Sequence, residues 1–248
     1  MGFQQKIDTA TGASALDWWR EAGVDMLVDE APRNWLVPEP ARAPLRSGGA
    51  TPARPTPATP PAALEIPDTL AAFEAWRLSD AAPEAGWSGT RIGAQGDAAS
   101  GLMILIERPE RDDGADRLVS GAAGLLLDRM LAAIGRDRGS IYLASICRVR
   151  PISGRIPADQ EALLARLARA HVRLAAPRRL LVIGNAASRA IIGTDVARAR
   201  GRLHAINHEG ADGSVEVVAS FHPRFLLERP AAKAEAWKDL QLLIRGFS

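Results

Sequence analysis

The chain has 248 residues, one cysteine and a formal net charge of +2. That length holds one sizeable domain with flanking segments, or two small ones. A single cysteine excludes an internal disulfide, an all-thiolate zinc site and an iron–sulfur cluster held by four thiolates of the chain's own. The charged fraction of 24% and the six tryptophans are unlike a wholly disordered chain. No apolar run approaches the roughly 20 residues that span a bilayer. The first six residues, MGFQQK, lack the apolar core of a signal peptide, so a soluble cytoplasmic protein is expected. Charge is unevenly placed: residues 1–100 carry eight basic and thirteen acidic side chains, a net of −5, and residues 101–248 carry 23 and 16, a net of +7. A basic second half suits a polyanionic partner. Of the 31 basic residues 28 are Arg, which a GC-rich genome would also produce.

In chain order, the spacing of Leu16, Trp18, Trp19, Val24 and Leu27 predicts an amphipathic helix over residues 13–27. Residues 37–67 hold nine prolines and predict a solvated linker or surface strap. A short helix is expected over 69–77 behind the cap candidate Asp68. The run Gly101-Leu102-Met103-Ile104-Leu105-Ile106 reads as a strand buried on both faces. There follow a helix over 121–134 closed by Gly135, a strand over 141–146 and a helix over 158–175 ending before Pro177. Next come a strand over 179–183 running into Gly184-Asn185, a helix over 186–192, strands over 203–207 and 215–220, and a final helix over 231–245. This alternation predicts a three-layer α/β/α sandwich around a central, mostly parallel sheet. Ligands bind such folds at the carboxyl ends of the strands. Glu107-Arg108-Pro109-Glu110, Ser145-Ile146-Cys147-Arg148, Gly184-Asn185 and Ser220-Phe221-His222-Pro223-Arg224-Phe225-Leu226-Leu227 stand there.

The order and spacing of these stretches resemble the uracil-DNA glycosylase superfamily, most closely its family 4. The loop Ile106-Glu107-Arg108-Pro109-Glu110 is similar to the family's G-E-A-P-G. Gly121-Ala122-Ala123-Gly124 followed by Leu126-Leu127-Asp128-Arg129-Met130-Leu131 resembles the segment leading into L-L-D-x-M-L. Tyr142-Leu143-Ala144-Ser145-Ile146 matches the strand Y-I-T-N-V, and Val149-Arg150-Pro151-Ile152 the segment C-R-P-P. Gly201-Arg202-Leu203-His204 is similar to R-G-R-x-H. His222-Pro223-Arg224-Phe225-Leu226-Leu227 and Trp237-Lys238-Asp239-Leu240-Gln241 match the terminal H-P-x-x-L-L loop and its following helix. The likeness covers about residues 100–248, with residues 1–36 a helical segment, 37–67 the strap and 68–248 the glycosylase-like domain. Departures are plain. Ile106 and Glu110 stand where the family has Gly, Val119 (or Leu118) where it stacks a Phe on uracil, and Ser145 where an Asn reads the base. Val149 and Ala165 occupy two cluster-cysteine positions.

The resemblance implies hydrolysis of the bond between deoxyribose and uracil, or another deaminated base, in DNA; with the cluster cysteines missing and no metal-ligand spacing, neither an iron–sulfur cluster nor another metal is expected, and a monomer is expected. Breaking that bond needs an extruded base, a donor for the departing anion and a carboxylate for water or for the sugar's positive charge. His222 is the expected donor and Glu107 the expected carboxylate, with Asp112 and Asp113 as substitutes. Ile106, Arg108, Pro109, Val119 and Ser145 are expected around the base. Gly184, Asn185, Arg202, Arg224, Phe225 and Leu226 are expected on DNA, the last three entering the duplex. Arg148, Arg150 and Arg155 are weaker phosphate candidates, His171 a structural residue, and His204 and His208 weak candidates. A catalytically degenerate module of the same fold, binding DNA or a repair partner, is the alternative. The chain contains no G-x-S-x-G, the elbow of an α/β-hydrolase.

Overall fold

The computed structural model describes residues 65–207 and 214–247. The helix expected over 13–27, nearly all of the Pro-rich strap and His208 lie outside the described residues. Helix α1 is Leu70–Leu78, followed by β1 Gln95–Gly96, β2 Leu102–Ile106, α2 Gly121–Ala133, β3 Tyr142–Ser145 and α3 Ala158–Ala175. Then come β4 Arg179–Ile183, α4 Asn185–Ile192, α5 Val196–Ala199, β5 His204–Asn207, β6 Ser214–Ser220, α6 Pro223–Glu228 and α7 Lys233–Ile244. Three of these escaped the sequence reading: β1, α5 and α6, each six residues or shorter. The α1 cap is Thr69, not Asp68, because its hydroxyl accepts the Ala72 amide at 3.3 Å. The last helix starts later than expected, since Pro230–Ala232 forms a 3₁₀ turn ahead of it.

The sheet order is β1-β3-β2-β4-β6-β5. The four inner strands are parallel, and the edge strands β1 and β5 pair antiparallel with β3 and β6. All residues of β2, β3 and β4 are buried, because helices cover both faces. Met103, Leu105, Leu180 and Val182 pack with α1, α3 and α4. Leu102, Ile104, Ile106, Leu181 and Ile183 pack with α2, α6 and α7. Strand periodicity makes this division, since successive side chains point to opposite faces.

Two polar assemblies brace the rim. On one side Arg148, fully buried, pairs with Glu74 of α1, and Arg77 pairs with Glu84. Arg77 Nη2 donates to Ile146 O at 2.8 Å, and the Arg148 amide donates to Glu84 at 3.2 Å. His171 Nε2 lies 3.0 Å from both Glu74 and the Tyr142 hydroxyl. Burial alone would raise the Glu74 carboxyl, but the His171 hydrogen bond and the Arg148 charge more than offset it and hold it at about 2. This cluster ties α1 to the end of β3.

On the other side lies the loop from Glu107 to Ser120. The Asp113 carboxylate accepts three backbone amides, from Glu110 at 2.8 Å, Val119 at 2.9 Å and Ser120 at 2.6 Å. Arg138 donates to Leu118 O at 2.5 Å and Val119 O at 2.8 Å. Val119 has φ +54, a costly conformation for a β-branched residue. It persists because both of its peptide polar groups are captured. Gly124 on α2 leaves room for the Val119 carbonyl: a Cβ there would sit 2.2 Å from that oxygen. Neither backbone can easily yield, so Gly124→Ala is expected to lower stability by about 1–3 kcal/mol, the usual cost of overpacking. Thermal melting of the variant against the parent measures it.

Candidate active site

Chain connections run from β2 outward to β3 and from β4 outward to β6, so the sheet's switch point falls between β2 and β4. A crevice opens at the carboxyl ends there. It forms a cleft of about 370 Å³ whose lining includes Glu107, Arg108, Glu110, Gly184, Phe221 and His222. Asn185, Arg224 and Phe225 also border it. Gly184, with φ +92, turns the chain from β4 into α4, and its Cβ position is 4.0 Å from the His222 Cβ. Asn185 Oδ1 accepts the Val196 amide at 3.2 Å and so holds α5 at the cleft edge. Phe221 and Phe225 stack with centroids 4.9 Å apart, giving the cleft an aromatic wall. Behind it, buried Asp239 on α7 accepts from Ser220 Oγ at 2.9 Å and pairs with Arg200, whose guanidinium lies 5.0 Å from the Phe221 ring centre. Burial pushes the Asp239 carboxyl up, against these donors.

His222 is the N-cap of α6. Its Nδ1 accepts the Arg224 amide at 3.2 Å, so the ring proton sits on Nε2. Burial, together with the charges of Arg224 and Arg108, lowers its pKa from 6.5 to about 4. The ring is therefore neutral at pH 7 and a donor through Nε2 alone. Glu107 pairs with Arg108 Nη1 at 2.6 Å. The Arg108 Nε is buried without a hydrogen-bond partner among the described residues. Arg150 donates to Pro109 O at 3.1 Å, and the Cys147 amide to Glu107 O at 3.1 Å, so the main chain bearing Glu107 is fixed from below.

The structure thus brings Glu107, Arg108, Gly184, Asn185, His222, Arg224 and Phe225 to one cleft. It turns other expected residues away. Ile106 and Val119 are fully buried in the α2-side core, because strand alternation and the left-handed turn point them there. Pro109 is buried, and its carbonyl is taken by Arg150. Ser145 is 2% exposed, and its hydroxyl donates to Cys147 O at 2.6 Å, so its proton is spent inside its own loop. Leu226, 1% exposed, is core, since α6 rotates it inward; Leu227, 41% exposed, is the outward leucine. Arg202 is exposed and does not line the cleft; its guanidinium donates to Arg198 O at 3.4 Å. Asp113 is a loop anchor with its oxygens on three amides. His171 is buried in the α1 cluster, and His204 bonds Ala199 O at 2.7 Å. Four cleft residues were not expected there: Val196 and Ala197, on the short α5, gave no signal, whereas Phe221 and Glu110 did. Phe221 carried a weak signal, preceding His222 at a strand end. Glu110 carried one misread as mere loss of glycine.

A carboxylate, a neutral imidazole donor and an aromatic wall at a parallel sheet's switch point define an α/β protein built to hold a planar polar group beside a proton donor. The comparisons narrow this class. The profile of the Uracil DNA glycosylase superfamily matches residues 94–241. A type-4 uracil-DNA glycosylase of Pyrobaculum aerophilum is 30% identical over 162 residues, 62% of this chain and 82% of that protein. One of Archaeoglobus fulgidus is 28% identical over 158 residues, 59% of this chain and 76% of its own length. One of Thermotoga maritima is 27% identical over 136 residues, covering 54% and 69%. The chain belongs to the uracil DNA glycosylase superfamily.

His171 and His222 are both held near 4 from an ordinary 6.5, chiefly by burial. Between those values the unfolded chain binds their protons and the native protein does not, so stability rises with pH there. The thermal midpoint is expected to be flat above about pH 6.5, as far as these groups are concerned, and to fall as pH drops toward 4. Melting curves with an NMR titration of the imidazoles check this, and a His222 that titrates near 6.5 contradicts it.

Proposed function

We propose that this protein is a DNA glycosylase that hydrolyses the N-glycosidic bond of uracil, and of other deaminated bases, in DNA for base excision repair. The observation that carries the reading is His222, locked as an Nε2–H donor facing the switch-point cleft. The superfamily membership and three type-4 relatives support it. In this reading the extruded base enters between the Phe221 wall and the Glu107–Arg108 rim. The bond to C1′ breaks with its electron pair leaving on the base. His222 Nε2–H donates to the O2 that gains charge, and neutral imidazole does so without adding a charge of its own. Glu107 aligns water and balances the positive sugar.

With Ser145 turned into its own loop and Val119 in the core, neither reads or stacks on the base. This favours a relaxed base preference that reaches xanthine or hypoxanthine, because discrimination by shape alone is worth about 1–3 kcal/mol. Work in the cytoplasm as a monomer fits the reading; among the described residues no helix is long and apolar enough to cross a membrane.

The family-4 cluster does not fit this chain. Cys147 is the single cysteine. It is fully buried, burial pushes its thiol up, and Val149 and Ala165 offer no donor at the matching positions. We therefore read the protein as working without a cluster. Cys147→Ala is expected to keep activity, and the purified protein to lack the broad visible absorbance of iron–sulfur proteins.

Single-turnover assays on uracil-, xanthine- and hypoxanthine-containing oligonucleotides test the function. His222→Ala is expected to slow base release by about 100- to 1,000-fold, the usual effect of removing one such donor, with little loss of DNA affinity. Glu107→Gln should slow release while preserving the melting temperature. Absence of base release from any of the three substrates by the unaltered protein, with DNA binding retained, would instead favour the binding-module reading.

A further inference from the structure

The chemistry above gives no task to Glu110, although it sits in the cleft. Its backbone is fixed by Asp113, 2.8 Å from its amide. Its carboxylate reaches across to α6: Oε1 lies 3.5 Å from His222 Nε2, and Oε2 accepts from Arg224 Nη1 at 3.1 Å. The Glu110 side chain is 13% exposed and that of Arg224 is 42% exposed. Three consequences follow from this geometry. With Nδ1 occupied by the Arg224 amide, Nε2–H is the one proton that neutral His222 can offer, and in the free protein it faces a carboxylate. A carboxylate held beside a departing base anion repels it, so Glu110 cannot keep this place while the bond breaks. Arg224 is accessible from solvent, and a guanidinium binds a phosphate in two-pronged fashion at least as well as a carboxylate.

We propose that Glu110 is a positioning residue that latches the free cleft, its carboxylate held by Arg224 beside His222 Nε2 until a DNA phosphate takes Arg224 and, by its own negative charge, drives the carboxylate away from the imidazole. The proposal rests on the glycosylase reading of the cleft. It makes the proton donor available on seated DNA and not before. The partner that opens the latch is the phosphodiester backbone, whatever the base.

The test is a cycle of Glu110→Gln, Arg224→Ala and the double variant. At saturating uracil-containing duplex, Arg224→Ala removes the seat of the phosphate that would displace the carboxylate, leaves Glu110 beside His222 and should slow single-turnover release by roughly tenfold, within the usual range for coupled sites. Glu110→Gln on that background should recover most of the loss. On undamaged duplex, Glu110→Gln should tighten binding several-fold when Arg224 is present and have little effect when it is absent. A double variant no faster than Arg224→Ala overturns the latch. So does an affinity gain from Glu110→Gln that is equal with and without Arg224, which would mean simple repulsion of DNA. If the unaltered protein releases no uracil, the function reading fails, and the affinity cycle on undamaged duplex still decides for or against the latch by its coupling.

Discussion

A parallel sheet covered on both faces leaves little room for polar groups along its strands. In β2, β3 and β4 every residue is buried, and apart from Tyr142, Ser145 and Arg179, each of which has a hydrogen-bond partner, all are apolar. Ionic groups brought into such an interior would lose their hydration without recompense. Chemistry is therefore confined to the rim where strands end and loops begin. Because the strand order reverses between β2 and β4, the loops there diverge and open a cleft. The place of Glu107, Gly184 and His222 follows from that one constraint.

The rim divides into a fixed part and a movable part. The loop after β2 is over-determined: one carboxylate captures three amides, one guanidinium captures two carbonyls, and a strained Val119 is accommodated over Gly124. Such anchoring holds the main chain that carries Glu107 and Glu110 to a narrow tolerance. By contrast the Glu110–Arg224 pair bridges two elements through long side chains, with the Arg half in solvent. Glu110 is largely covered, and the accessible guanidinium is the half of the pair that a solvent-borne anion can reach. The site thus combines a rigid frame with an ionic contact that DNA can compete for.

The opposite flank shows another way to brace the same fold. There Arg148, next to buried Val149, lies fully buried among Glu74, Glu84 and Arg77. A buried ion cluster is poor evidence of net stabilisation, since desolvation opposes the attraction. What it does provide is direction. Charges with few permitted partners fix α1 and the β3 end in one arrangement.

Much of this was legible in the sequence, and for definite reasons. Apolar runs such as Leu102–Ile106 and Arg179–Ile183, and the 3.6-residue pattern of Ala158–Ala175, report burial that is local to each element. The three-layer fold and the residues at strand ends were readable from them, and so was the place of His222 directly after β6. Short elements were not: β1, α5 and α6 are too brief for a period to show and exist through tertiary contacts. Side-chain direction was not readable either. Ser145 turns to Cys147 O, Leu226 enters the core, and Asp113 anchors a loop, because the fold of an irregular loop or a helix's rotation decides each case. Glu110 is the clearest instance. In the sequence it is an acidic residue where a glycine was expected; only the packing of α6 against the β2 loop, across more than a hundred residues of chain, sets its carboxylate against His222 and Arg224.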